Sequence, residues 1–312
     1  MALAISKNPR KGGHSNMVKK YLKIVCIVIG ILFLLSVAMP VMASAVENTG
    51  VLKTGDGFKG VYKGKPPGTP GNGPGGGGGG GGNGDGGDED PSKDKWAVVI
   101  GIADYQGRMN DLMYTDDDAV DMYNYLLLKG YPKGNIKLLL NKQAKGDAIY
   151  AAIDWMAQWE GPDSECVFFY SGHGGTYDGD YDGDGEYRDE SIICWELKHI
   201  LDGFLRDAFS TYESQKIAFI FDTCFSGGMD DLAESGRVVA TACGENQYSW
   251  DGPDDMQNGV FTYYFMDGLN TCNTIEGAHT YAEPLAHDYV ELYYKAQMDP
   301  QIYDQYDVDW AF

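Results

Sequence analysis

An α/β fold with a mostly parallel sheet, covered by helices on both faces, is predicted by two patterns in residues 93–312. Apolar runs of strand length alternate with amphipathic helical stretches, and the runs stay apolar at successive positions instead of alternating with polar residues. A third observation places the chemistry. Two of these runs exit into glycine-rich segments, "YSGHGG" and "DTCFSGG". In sheets of this kind the site lies beyond the carboxyl ends of the strands.

The elements follow in order. "KWAVVIGI" (Lys95 to Ile102) is a continuous apolar strand. "TDDDAVDMYNYLLLKG" opens on Thr115 as an N-cap, carries three acids in its first turn and stops at Gly130, with Ala119, Met122, Tyr123 and Leu126 on one face. "NIKLLL" is a second strand and "GDAIYAAIDWMAQW" a second helix. "CVFFYSG" is a third strand, "ESIICWE" a short one, and "HILDGFLRDAF" reads as a helix. "KIAFIFD" and "RVVATAC" are further strands, and "GVFTYYFMDGL" and "EPLAHDYVELYYKAQ" are closing helices.

Residues ahead of this region are of other kinds. The first 20 residues hold five Lys and Arg and no acid, and precede an apolar run from Ile24 to Ala43 that ends near the small-residue "ASA". Residues 1–45 therefore read as a signal peptide or an uncleaved membrane anchor, and either one takes the rest of the chain out of the cytoplasm. Residues 46–92 are a Gly/Pro-rich tether with eight consecutive glycines at Gly75 to Gly82. As a flexible coil, the 27 residues from Lys65 to Pro91 reach roughly 30 Å. Secretion or surface anchoring is the expected localisation, with membrane contact only through the amino-terminal segment.

The net charge of −22 argues against nucleic acid and suits cationic partners or divalent metal. After Cys26 is set aside, Cys166, Cys194, Cys224, Cys243 and Cys272 remain, an odd number without a CxxC pair. Cys166, Cys194 and Cys243 lie in apolar runs and read as buried, inert thiols.

Cys224 differs. It sits just past a strand that ends in Asp222, with Gly227-Gly228 beyond it. A thiol becomes a strong nucleophile when a partner takes its proton, and His173 is the one histidine that ends a buried strand. Glycines on both sides of His173 would let a substrate backbone approach closely. The amides of Gly174 and Cys224 are candidate donors to an oxyanion.

"FFYSGHGG" followed by "IFDTCFSGG" resembles the caspase-like cysteine peptidases, closest to the metacaspases of the bacterial or archaeal branch. In caspases the histidine precedes the cysteine by about 50 residues; here the separation is 51. "WAVVIGIADYQG", "DLMYTDDDAVDMYNYL", "RDESIICWE" and "NGVFTYYFMDGL" extend the likeness over nearly all of residues 93–312. The resemblance implies a three-layer α/β/α sandwich of caspase-like fold. It also implies hydrolysis of a peptide bond through a thioester on Cys224, assisted by His173.

Asp222 and Cys224 are two residues apart and so can face one cleft. A bare carboxylate there would hold the thiol protonated unless a cationic substrate side chain neutralises it. The resemblance assigns Asp222 to a pocket for Arg or Lys, with Asp118 and Ser171 as further pocket residues; Asp116 and Asp117 compete with Asp118 for that match. Protein or peptide substrates with Arg or Lys ahead of the scissile bond are the expected partners.

The acid-dense stretch from Asp178 to Glu190 is a candidate calcium site. Asp178, Asp180, Asp182 and Gly183 follow a D-x-D-x-D-G order, with Asp184 next along and Asp189 at the twelfth place. The resemblance adds Asp189, Glu190 and Asp231 as ligands. The competing reading is a solvated acidic loop. For the whole chain the alternatives are an inactive caspase-like, calcium-responsive binding module, and a thiol phosphatase. The latter needs an arginine six residues after the cysteine, where the chain has Asp230. Arg237 is a candidate self-cleavage site, and the oligomeric state is open.

Overall fold

Strand alternation explains how one sheet carries two cores. In the computed structural model, which describes residues 94–312 except Asp184, β1 (Lys95–Gly101) turns Ala97 and Val99 to one face and Val98 and Ile100 to the other. The same alternation splits β3 (Glu165–Ser171) and β7 (Ile217–Asp222), every residue of which is buried. With β2 (Ile136–Leu140), β8 (Arg237–Thr241) and β9 (Gln301–Asp304) they form a six-stranded sheet in the order β2-β1-β3-β7-β8-β9. All its pairs are parallel except β8–β9.

Helices cover both faces. α1 (Thr115–Leu128), α4 (Val260–Cys272) and α5 (Ile275–Tyr294) pack on one side; α2 (Gly146–Trp159) and α3 (Asp202–Phe209) pack on the other. This is a three-layer α/β/α sandwich. The segments read as signal or anchor (1–45) and tether (46–92) lie outside the described residues, as does Asp184. Among the described residues no helix is long and apolar enough to cross a membrane.

Several expectations are corrected. Thr115 is the first helical residue rather than the cap, and its hydroxyl donates to the Ile102 carbonyl at 2.6 Å, tying α1 to the end of β1. Gly130 does lie just past α1, at φ 83°. "HILDGFLRDAF" divides into β6 (His199–Leu201) and α3. β6 joins β5 (Arg188–Ile193) and β4 (Gly174–Asp178) in a small antiparallel sheet. α5 begins eight residues before the closing helix expected from the sequence. Arg237 is buried at the start of β8, donating to the Phe209 carbonyl at 3.1 Å and paired with Glu234 at 3.0 Å, so it is no exposed cleavage site.

Candidate active site

Parallel pairing brings the two glycine-rich exits together. Ser171 and Asp222 are register partners at the ends of β3 and β7, and Gly172 N–H donates to the Asp222 carbonyl at 3.2 Å. His173 follows in the turn into β4, and Cys224 follows β7. A Cβ at Gly174 would lie 2.1 Å from the Cys224 carbonyl oxygen. A Cβ at Gly172 would lie 2.6 Å from the Tyr105 hydroxyl. These glycines thus admit the protein's own neighbouring groups, a different reason from the substrate access expected of them.

The imidazole of His173 is fixed from behind. Nε2 is 2.8 Å from the carbonyl oxygen of Asn110, which can only accept, so in neutral His173 the proton sits on Nε2 and Nδ1 is the basic atom. Burial holds His173 below the usual histidine range, and the Asn110 carbonyl works the other way. Cys224 is half-buried, with its thiol 3.8 Å from the Ser249 carbonyl. Burial pushes that thiol well up, and Cys243, Asp222 and Asp251 add to the rise. The resting thiol is protonated at neutral pH. Phe225 adopts a left-handed conformation, φ 63°, and its N–H donates to the Gln247 carbonyl at 2.8 Å, which pins the turn that carries Cys224. Cys166, Cys194 and Cys243 are buried free thiols, and Cys272 is an exposed one.

Asp118, Ser171 and Asp222 meet on the α1/α4 side of the sheet. Ser171 Oγ donates to Asp118 Oδ2 at 2.7 Å, and Gly259 N–H to Asp118 Oδ1 at 2.9 Å. Asp222 Oδ2 accepts from the Thr262 amide at 2.9 Å and from its hydroxyl at 2.7 Å, while Oδ1 accepts from Ser249 Oγ. Burial lifts Asp118 well above the usual carboxylate range, and neighbouring Asp222 adds to it. Asp222 is also raised by burial, opposed by its Ser249 and Thr262 donors. Asp116 accepts from the Asn141 side chain at 2.9 Å, and Asp117 is exposed, so Asp118 is the acid of the first turn that faces Asp222.

Comparison with known proteins places this geometry. The family profile described as "Caspase domain" matches residues 94–299. The chain belongs to the caspase-domain family. Among curated proteins it is similar to metacaspase-1 of Candida albicans, 30% identical over 157 residues, or 44% of this chain and 34% of that one. It is also similar to metacaspase-1 of Saccharomyces cerevisiae, 29% identical over 178 residues, or 53% of this chain and 40% of that one. The match thus spans little more than a third of these relatives' length. A crystal structure of a Geobacter sulfurreducens protein superposes with a TM-score of 0.54 at 17% identity, covering 69% of this chain and 95% of that one, a likeness of fold.

The caspase domain holds a second group of acids beside the turn that carries Cys224. Asp189 and Glu190 are buried in β5, and the Glu190 carboxyl packs on Gly228, where a Cβ would come within 2.3 Å of Oε2. Both Glu190 oxygens and Asp202 Oδ1 are buried without a hydrogen-bond partner among the described residues. Burial holds Glu190 up at about 8, with Glu245 adding to it. Asp202 is held up at about 9 by burial and then by Asp182, Asp231 and Glu190. Buried carboxylate oxygens that lack donors are of the kind a hard divalent cation takes.

The acids predicted for that site separate in the structure. Asp182 and Asp231 act with Glu190 on Asp202: Asp182 Oδ2 accepts from Gly203 N–H at 3.1 Å, and Asp231 pairs with Arg206 at 2.6 Å, whereas Asp189, next to Glu190 in β5, accepts from Tyr181 N–H at 2.9 Å. Asp178 and Asp180 are exposed, and Asp180 accepts from Gly183 N–H at 2.7 Å in its own turn. Neither Asp178 nor Asp180 is among the acids acting on Glu190 or Asp202. Asp202 is not singled out by the sequence, where it lies inside the helical stretch "HILDGFLRDAF". Ser249, Asp251, Gly259 and Thr262 were also missed, since they lie 25 or more residues past Cys224 in a loop and a helix start. The signal that could have found them is the "SWDGP…NGVFT" run, polar and turn-rich before an apolar helix. Asp251, which accepts from Met113 N–H at 3.1 Å, is held up at about 6 by burial and by Asp222 and itself acts on Cys224.

Proposed function

We propose that this chain is a cysteine endopeptidase that cleaves after Arg or Lys, with Cys224 as nucleophile and His173 as base. The observation that carries the reading is the buried Asp118–Asp222 pair beside the nucleophile. Both carboxylates are lifted by burial, Asp118 further by Asp222, and among the described residues no cation pairs with either, so a guanidinium or ammonium from the substrate supplies one. That same cation relieves the acids that help keep the Cys224 thiol protonated, so docking of the right side chain favours the thiolate.

In the reaction the Cys224 thiol proton passes to His173 Nδ1 as sulfur bonds to the scissile carbonyl carbon. The oxyanion is held by the amides of Cys224 and Gly174. Ile193 N–H donates to the His173 carbonyl at 3.0 Å, which makes Gly174 and Ile192 a non-hydrogen-bonded pair and turns the Gly174 amide off the ladder. The C–N bond then breaks, and the imidazolium returns its proton to the leaving amine. Water, losing a proton to His173, attacks the thioester and releases the carboxylate and the thiol. Asp182, Asp189, Glu190, Asp202 and Asp231 would hold calcium, which supplies the positive charge those buried oxygens lack. The basic, then apolar amino-terminal segment and the glycine tether support a catalytic head displayed outside the cytoplasm.

The test is hydrolysis of fluorogenic peptides bearing Arg, Lys or Asp before the scissile bond, with and without calcium, by the wild-type chain and Cys224→Ala. Cleavage after Arg or Lys that vanishes in Cys224→Ala is expected. Cleavage after Asp, or none from folded protein, overturns the reading.

A further inference from the structure

Most of what positions His173 comes from one loop, residues 103–112. The loop is itself tightly held: the amides of Ala103 and Asp104 both donate to Asn141 Oδ1 at 2.8 Å, Gln106 N–H donates to the Trp195 carbonyl at 3.0 Å, and Leu112 N–H to the Ala103 carbonyl at 2.9 Å. It reaches His173 at three points. The His173 peptide N–H donates to the Tyr105 hydroxyl at 2.7 Å. The Tyr105 ring packs on the imidazole with 4.7 Å between centroids. The Asn110 carbonyl receives Nε2–H at 2.8 Å.

A second tyrosine completes the arrangement. Tyr170, on the last turn of buried sequence in β3, donates its hydroxyl to the His173 carbonyl at 2.7 Å, with the Ile193 carbonyl at 2.9 Å. The two phenolic oxygens lie 3.3 Å apart. The two peptide groups that flank the His173 Cα are thus held, one at its N–H by Tyr105 and the other at its C=O by Tyr170. Both tyrosines are buried. Gly172 is required beneath them, since a Cβ there would come within 2.6 Å of the Tyr105 oxygen and 2.7 Å of the Tyr170 oxygen.

The geometry points to Tyr105 as a positioning residue for His173, acting through its hydroxyl to hold the backbone of the base while its loop holds the ring. This inference rests on the Cys224–His173 reading given above. A base held at Nε2 alone can still swing about Cα–Cβ and drift with its peptide. Fixing the peptide as well leaves Nδ1 one location, and small losses of such alignment lower rate steeply. Tyr105→Phe removes the oxygen and keeps the ring on the imidazole. A purely space-filling role would leave the folded variant's kinetics intact.

The experiment compares wild type, Tyr105→Phe and Tyr105→Ala as full chains, with thermal unfolding run beside them to confirm that each is folded. Two rates are read: kcat and KM on an Arg peptide, and alkylation of Cys224 by iodoacetamide at neutral pH, with Cys224→Ala as blank. The expected result for Tyr105→Phe is a fall in kcat of about tenfold or more with KM little changed, and slower alkylation by a similar factor. Equal kcat and alkylation in a folded Tyr105→Phe would overturn the proposal, and a loss confined to Tyr105→Ala would assign the role to the ring instead. If wild type cleaves no Arg peptide, the peptidase reading fails, and the alkylation rates still judge the positioning of His173 against Cys224.

Discussion

The two buried acid groups flank the turn that carries Cys224 and are built in opposite ways. Asp118 and Asp222 are surrounded by donors: Ser171, Gly259, Ser249 and Thr262 all direct N–H or O–H groups at them. Glu190 has both oxygens buried with no donor among the described residues, and Asp202 has one such oxygen. Donors oppose the lift that burial gives a carboxyl and so favour the ionised form that a transient organic cation meets. A carboxyl without donors is costly when charged, so it either holds a proton or binds a resident ion. The first group is suited to choosing a substrate, and the second to answering to metal.

The sharpest way to break this contrast is to neutralise one member of the donor-rich pair. Asp222→Asn keeps the shape and removes the charge that meets the substrate cation. Cleavage after Arg should fall by about 10²–10³-fold in kcat/KM, measured on matched peptides, as expected for an unpaired buried charge. An effect below about threefold would show that the pair is structural.

A buried group in neither acid cluster sets the background for pH experiments. His279, in α5, is held down at about 4 by burial, against an ordinary value of 6.5. Between those values the unfolded chain binds a proton that the folded chain refuses. Stability therefore falls as pH drops from about 6.5 through about 4, by up to about 3 kcal/mol. Denaturant unfolding at pH 7 and pH 5 should show this loss, and His279→Gln should flatten it.

The smallest effect has an inverted sign. Glu190→Gln removes a carboxyl that, without calcium, must take up a proton to stay buried at neutral pH. Without calcium the variant should melt higher than wild type, by about 2–4 °C, and calcium should no longer raise its midpoint. A lower midpoint without calcium would mean that Glu190 is satisfied by something other than metal.

The contrast was half legible in the sequence. Asp222 and Ser171 could be placed because each ends an apolar run and the resemblance matches both to the pocket, and His173 and Cys224 because glycines mark the exits. The donors that distinguish the two groups were not legible. Ser249, Gly259 and Thr262 arrive from a polar loop and the first turn of α4, far along the chain, with no periodic signal linking them to Asp222. Asp202 was hidden for a similar reason: β6 is three residues long, so the strand-to-helix change at Leu201 merged into one helical stretch. β4 and β9 are short and half-buried, and their pairing depends on tertiary neighbours more than on their own pattern. Asp178, Asp180 and Asp182 looked equivalent in spacing, yet of these acids only Asp182 acts on Asp202.

The central claim is that buried acids beside Cys224 select a substrate cation. Its most direct test changes the substrate and leaves the protein untouched: two peptides identical except for arginine or citrulline before the scissile bond, which differ in charge and hardly in shape. The account predicts that kcat/KM falls by about 10²-fold or more with citrulline. Equal rates on the two peptides would contradict it.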